Sequence, residues 1–442
     1  MRGFASRGWP RAARWLVAGL MASALVLGLP GRAVQAEPMA QLAIPAAPAA
    51  ATATWQPLPH GGLNGLVQAL AAVGSDLYVG GFFTATADGG VQNLNGIALV
   101  HNGQWQALPD QGLNGGVTSL AVIGTDVYAG GVFTGTAAGT LGGQLNYVAR
   151  LSTVSTPAWH PLAHNGLNSD VRQMAAHNGD LYVGGFFDQS ADGVSQDLNA
   201  VAQYHNGAWV ALPNKGMFNF FLLHCCFVDA FAFNGNNLVA GGIFTATDDF
   251  HVQNLGGLAM LSGGTWSATP NQGLGLDQPF AHDVRNLDYV GGDLYAAGTF
   301  TRTTDHTVSH LNGVAELHNG AWVPLPHDGF RNGSFGAALA LAPRGTDLYV
   351  GGTFTETADG LVPNLNGIAR LSGGAWQALP DGGIRADFKF GVQAITFAGD
   401  NLYVGGFFTE TAGGSLQGLG NIAVLAVPPL VSYPLDLPLV QR

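Results

Sequence analysis

The sequence predicts an all-β fold: a seven-bladed β-propeller of four-stranded antiparallel blades, its ring closed by an N-terminal outer strand. Two markers repeat at one period and lie out of phase with each other. The first is an apolar run ending in glycines and phenylalanine, as in DLYVGGFF at 76–83 and NLYVGGFF at 401–408. Its aromatic position is Tyr78, Tyr128, Tyr182, Val239, Tyr295, Tyr349 and Tyr403, at intervals of 50, 54, 57, 56, 54 and 54 residues. Its closing position is Phe83, Phe133, Phe187, Phe244, Phe300, Phe354 and Phe408. The second marker is the tryptophan of W-x-x-x-P and W-x-x-L-P segments: Trp55, Trp105, Trp159, Trp209, Trp266, Trp322 and Trp376. A steady period of this length marks a repeat architecture before any domain assignment is made.

Residues 65–109 show how one unit becomes a blade. LVQALAAV, LYVGGFF, GIALV and QWQAL are short apolar runs separated by Gly, Asn and Asp clusters, which read as strands joined by turns. Asn102-Gly103 suits a tight hairpin, because both residues tolerate left-handed dihedrals. In the second run, Leu77, Val79, Gly81 and Phe83 fall on one face and Tyr78, Gly80 and Phe82 on the other, so both faces are apolar and need cover. No 3.6-residue apolar stripe extends over three turns, so the cover is the neighbouring sheets. Glycines at the centre of the run let those sheets approach. Trp55 precedes the first unit, and the last unit, ending NIAVLAV at 421–427, has no tryptophan after it. Pairing the spare strand at Trp55 to Pro59 with Ile422 to Val427 closes a ring and removes exposed terminal faces.

The ends read differently. Arg2, Arg7, Arg11 and Arg14 precede the apolar run 15–29, and VQA at 34–36 has the form of a cleavage site, so 1–36 is expected to be a secretory signal peptide. A retained anchor is the alternative, but the run is short against the roughly 20 residues a bilayer requires. Residues 37–52 form an Ala/Pro-rich linker, 53–427 the propeller and 428–442 a C-terminal tail. The expected location is therefore secreted or cell surface, with no membrane insertion after cleavage. Losing 1–36, with five arginines and no acid, moves the formal charge from −12 to −17. That balance argues against nucleic acid and anionic lipid, both of which demand Lys/Arg clusters. Cys225 and Cys226 are adjacent and cannot staple distant parts of the fold; buried thiols and a vicinal disulfide are both open.

The run L-Y-V-G-G, the later short strand and W-x-x-L-P resemble the Kelch-type β-propeller repeat over residues 55–427. The form F-T-x-T with N-G-I-A-R-L-x-x-G-x-W, clearest at 354–376, resembles a glycine-rich variant found in secreted bacterial proteins. The resemblance implies the fold, and either a binding module or a copper oxidase. The chain departs from the oxidases, since no cysteine is placed to crosslink a tyrosine at a copper site.

Loop lengths select a working face. From the tyrosine position to the next tryptophan the spacing is 27 residues except for one value of 31; from tryptophan to tyrosine it runs from 23 to 30. The variable connections between blades share a face with the loops joining second and third strands, which makes that face the expected binding surface. Its fullest loops, T-x-T-x-D-G-x-V-x-N-L-N-G, are expected to be structural, with no cofactor; a Ca²⁺ in each blade is the weaker alternative, since one Asp plus amides falls short of a calcium loop. Blades 4 and 5 break the pattern and supply the candidate binding residues Phe218, Phe220, Phe221, His224, Asp248, Asp249, His251, His282, Asp305, His306 and His310. The phenylalanines either plug the channel or form an exposed patch. His306 and His310 share a loop and, with Asp305, could hold a metal. His101, His205 and His318 open H-N-G turns on the opposite face and read as structural. No nucleophile, base and orienting acid stand at a recognisable spacing. The expectation is a non-catalytic binding or structural module for an extracellular protein or glycan. The alternative is a polysaccharide-acting enzyme using the His/Asp loops.

Overall fold

The computed structural model describes residues 53–220, 226–276, 283–333, 336–386 and 390–429. Seven four-stranded antiparallel sheets are arranged as blades in a ring. In blade 1, Leu66–Val73, Asp76–Phe82, Ile97–His101 and Gln104–Ala107 are hydrogen-bonded in that order, and blades 2–6 repeat it. Blade 7 consists of Val392–Ala398, Asn401–Gly406, Ile422–Ala426 and, from the other end of the chain, Trp55–Pro57. Its closing register is Trp55 opposite Leu425, Gln56 opposite Val424 and Pro57 opposite Ala423. Two further bonds seal the seam: the Leu63 N–H donates to Gly420 O at 2.7 Å, and Asn421 Nδ2 donates to Leu63 O at 3.0 Å.

Apolar burial is divided among interfaces between successive blades. One cluster joins Tyr78 and Ile97 of blade 1 to Val127, Phe133 and Trp159 of blade 2; another joins Ile422 of blade 7 to Val67 and Trp105 of blade 1. The closing phenylalanines are at most 3% exposed, so each fixes a blade to its neighbour. Six of the seven tryptophans also donate Nε1–H to a backbone carbonyl at the turn one blade back, at 2.9–3.1 Å, as Trp105 does to Pro59 and Trp55 to Pro380. The buried Trp322 Nε1 has no such partner.

The paired glycines have two separate causes. A Cβ on the first (Gly80, Gly130, Gly184, Gly241, Gly351, Gly405) would overlap the valine at the first or second position of the next blade's inner strand. Blade 5 has Ala297 at this position, and there the next blade opens with Ala338 instead of valine. Gly405 faces Val67, so the same packing carries across the seam. The second glycine, never substituted, answers to its own sheet. A Cβ on Gly81 or Gly352 would strike the carbonyl of Leu66 or Ala337 on the paired inner strand, where the register shifts. Close approach between sheets therefore accounts for only the first glycine of each pair.

The loops hold structure that the strand pattern did not indicate. In blades 4–7 the inbound connection pairs with the loop between second and third strands as a small ribbon, such as Met217–Phe218 with Ala246–Thr247. In blades 1–3, whose inbound connections are shorter, a single bridge takes its place, as between Leu63 and Thr86.

Candidate binding surface and channel

The acids of the long loops are committed to the loops themselves. Asp88 Oδ1 accepts from the Gly90 N–H and Thr86 Oγ1, both at 2.8 Å, and Oδ2 lies 2.9 Å from His60 Nδ1. Those bonds, led by the one from Gly90, hold its carboxyl down at about 2. Asp192 and Asp359 repeat the arrangement with His164 and His327. Blade 7 reverses it: Gly413 stands in the loop, and Asp381 in the turn accepts from Thr411 and Ser415. The residue at this turn position has a positive φ in all seven blades, 53° to 61°, so side chain and backbone jointly fix how the turn meets the loop.

The residues singled out in blades 4 and 5 fall into three groups. Phe221, His224, His282 and Cys225 lie outside the described residues. Phe218 is buried in its ribbon, edge-on to Phe220 and to Phe250, while Phe220 and Phe250 stack at 5.2 Å and remain 47% and 42% exposed. None of the three lines the central channel. Asp249 accepts from Thr247, the His251 N–H and Asn214, and its Oδ2 lies 2.8 Å from His251 Nδ1. Asp248 is half-buried beside it. Asp305 accepts from Thr303, Thr307 and Asn271, whereas His310 Nδ1 is directed at Asp328, 3.3 Å away. His306 and His310 have φ near 65° and belong to no three-residue cluster with Asp305. Among the described residues such a cluster is formed by Asp293, Glu316 and His318, on the opposite face. It extends a contact repeated at His101 with Asp76 and His205 with Asp180, both 2.6 Å. Cys226 is buried, with Sγ 3.1 Å from Met217 O.

A further set of residues converges on the channel. In every blade the inner strand shifts register after its first or second residue, leaving one residue unpaired: Gln68, Thr118, Arg172, Asp229, Arg285, Leu339 and Gln393. A bulge turns its extra side chain away from the normal alternation, and all seven line a cavity of about 780 Å³ on the ring axis. Phe82, Phe390 and Phe407, each 42–47% exposed, also line it, with Phe390 and Phe407 edge-on at 5.7 Å, and Phe186, 39% exposed, holds the matching position in blade 3. Among the described residues, nine of the eleven large exposed apolar side chains belong to this long-loop face, which separates it from the other. The wall formed by blades 3–5 is charged. Arg172 and Arg285 approach Asp229 to 3.8 Å, Arg285 Nε also contacts Asp283, and the Arg172 guanidinium lies 4.4 Å over the Phe227 ring. Burial, reinforced by the neighbouring charge of Asp229, pushes the Asp283 carboxyl well above its ordinary range.

The bulge set could have been found in the repeat itself. Each member stands ten residues before the tyrosine position, in a column reading Gln, Thr, Arg, Asp, Arg, Leu, Gln among otherwise repeated letters.

No family model matches the chain. Over 112 residues it is 47% identical to Polarized growth protein L1 of Phoma sp., a match covering 25% of this chain and 8% of that protein. Similar solved structures include YCF48 bound to D1 peptide, at 14% identity over 88% of this chain and 99% of that one, with a TM-score of 0.47. The WD40 β-propeller domain of Doa1 is 12% identical over 82% and 93% of the two chains, with a TM-score of 0.46. Among the described residues no helix is long and apolar enough to cross a membrane.

Proposed function

We propose that this propeller is an exported, secreted or cell-surface module that binds an extracellular protein or glycan without catalysis, through the long-loop face. The observation that carries the reading is the concentration of exposed aromatic side chains around the channel mouth, above a ring of side chains that differ from blade to blade while the scaffold repeats. Exposed apolar surface gathered in one place is costly in water and marks interaction sites. Variation at seven bulges is how a repeated frame acquires an asymmetric ligand surface. Within the propellers we group it with the Kelch-type repeat, on L-Y-V-G-G and W-x-x-L-P. Export rests on Arg2 to Arg14 followed by the apolar run 15–29. The candidates of blades 4 and 5 join this surface through the exposed Phe220–Phe250 stack, next to Asp249 and His251.

The test is binding of the purified protein to printed glycan and peptide arrays, alongside the double variant Phe82→Ser, Phe407→Ser. Wild type should retain at least one arrayed ligand, uncleaved, and the variant should lose it at least tenfold. Shortening of a bound polysaccharide would place the protein among the enzymes, and retention that survives the double substitution would move the surface elsewhere.

A further inference from the structure

The charged wall of the channel is incompletely satisfied. Asp229 has a side chain 5% exposed, yet Arg172 Nη1 and Arg285 Nη1 stop 3.8 Å from its two oxygens, beyond hydrogen-bond length. Asp229 Oδ2 and Arg172 Nε are buried without a hydrogen-bond partner, and so is Gln68 Oε1 on the far side of the channel. Native structures rarely leave such groups unmatched, because each forfeits its hydration with nothing in return.

The ligand chemistry follows from which groups are paired with which. A ligand that only donates, such as an ammonium group, would meet Asp229 but be repelled by Arg172 and Arg285. A ligand that only accepts, such as a carboxylate or phosphate, would meet the arginines but be repelled by Asp229, in a chain of net charge −12. A hydroxyl does both: it accepts from a guanidinium N–H and donates to a carboxylate oxygen. The rest of the lining is mixed: Leu339 and the rim rings of Phe82 and Phe407 suit C–H groups, while Gln68 and Gln393 present amides that both donate and accept. A cavity of about 780 Å³ accommodates a compact ligand of one ring with its substituents.

We propose that the channel mouth binds a single uncharged sugar ring, the exposed unit of a glycan, with vicinal hydroxyls bridging Arg172 and Asp229 and its C–H face against Leu339 and the rim phenylalanines. This rests on the long-loop face being the binding surface and goes further, since it fixes the ligand class and the depth at which it is held.

The experiment is saturation-transfer NMR on the full chain with glucose, galactose, mannose and N-acetylglucosamine, and with hexylamine and acetate as charged comparators. Ring protons of at least one sugar should receive saturation, and neither charged probe should. Asp229→Asn and Arg172→Gln should each weaken that sugar at least tenfold, and Leu339→Trp, which narrows the channel from blade 6, should weaken it as well. Circular dichroism and melting accompany each variant; if Asp229→Asn does not fold, Leu339→Trp decides. The proposal is overturned if no sugar is saturated, or if the signal is unchanged by the channel substitutions. An arrayed ligand lost by the rim double variant but indifferent to Leu339→Trp would sink this proposal and leave the binding face intact.

Discussion

At the residue scale the informative positions carry charge where the scaffold has no use for it. Asp283 is 3% exposed, beside Asp229 and Arg285, and both burial and the adjacent carboxylate favour its protonated form. Its folded pKa is therefore raised above the unfolded value near ~4. Between those two values the folded state holds a proton that the unfolded chain has released, so stability falls as pH rises through that window. Asp283→Asn, which keeps shape and removes ionisation, should raise the melting temperature at pH 8.5 and change it little at pH 4; equal shifts at both pH values would remove the carboxyl as the cause. The loop acids have the opposite sign. Asp88 and Asp359, held at about 2 by turn donors, add stability above the unfolded carboxylate pKa that is lost as pH falls toward 2. These acids were legible as turn residues from T-x-T-x-D-G. Their His and Asn partners were not, since His60 and Asp88 meet only because the inbound connection and the loop between second and third strands share one face.

The blade is built on size matching between strands that meet across an interface. Six blades set glycine against valine, and the interface between blades 5 and 6 sets Ala297 against Ala338. Enlarging one member alone overpacks a site where both residues are fully buried. Ala338→Val should destabilise by about 1–3 kcal/mol, and adding Ala297→Gly should recover most of that loss in a double-mutant cycle read by denaturant unfolding. Additive penalties would show that the two positions do not share a packing site. The strands, their order and the tyrosine and tryptophan positions were readable from the repeat, because each blade restates them. The column at Gln68 stands out as variable in the repeat, but nothing in it marks a bulge. Strict alternation through LVQALAAV assigns every residue to one of two faces, and the register shift after Val67 breaks that assignment at Gln68.

For the whole molecule, the seam is the point that local sequence alone cannot stabilise. Trp55–Pro57 pairs only with residues more than 360 positions away, and it brings Trp55 into the cluster that holds blade 7 to blade 6. Deleting residues 53–59 should lower the melting temperature well below that of a chain lacking 37–50, and scanning calorimetry of the two truncations would show it. An unchanged melting temperature in the shorter chain would mean that the ring does not depend on this strand. Sequence by itself determined the repeat, the count of blades, the four-strand unit and the phase offset that demands closure, because all of these are periodic and restated seven times. Only the tertiary structure decided what occupies the channel wall. Arg172, Asp229 and Arg285 come from three blades and face one another because each sits on a bulge, and a bulge is set by backbone register between strands rather than by the residue that occupies it.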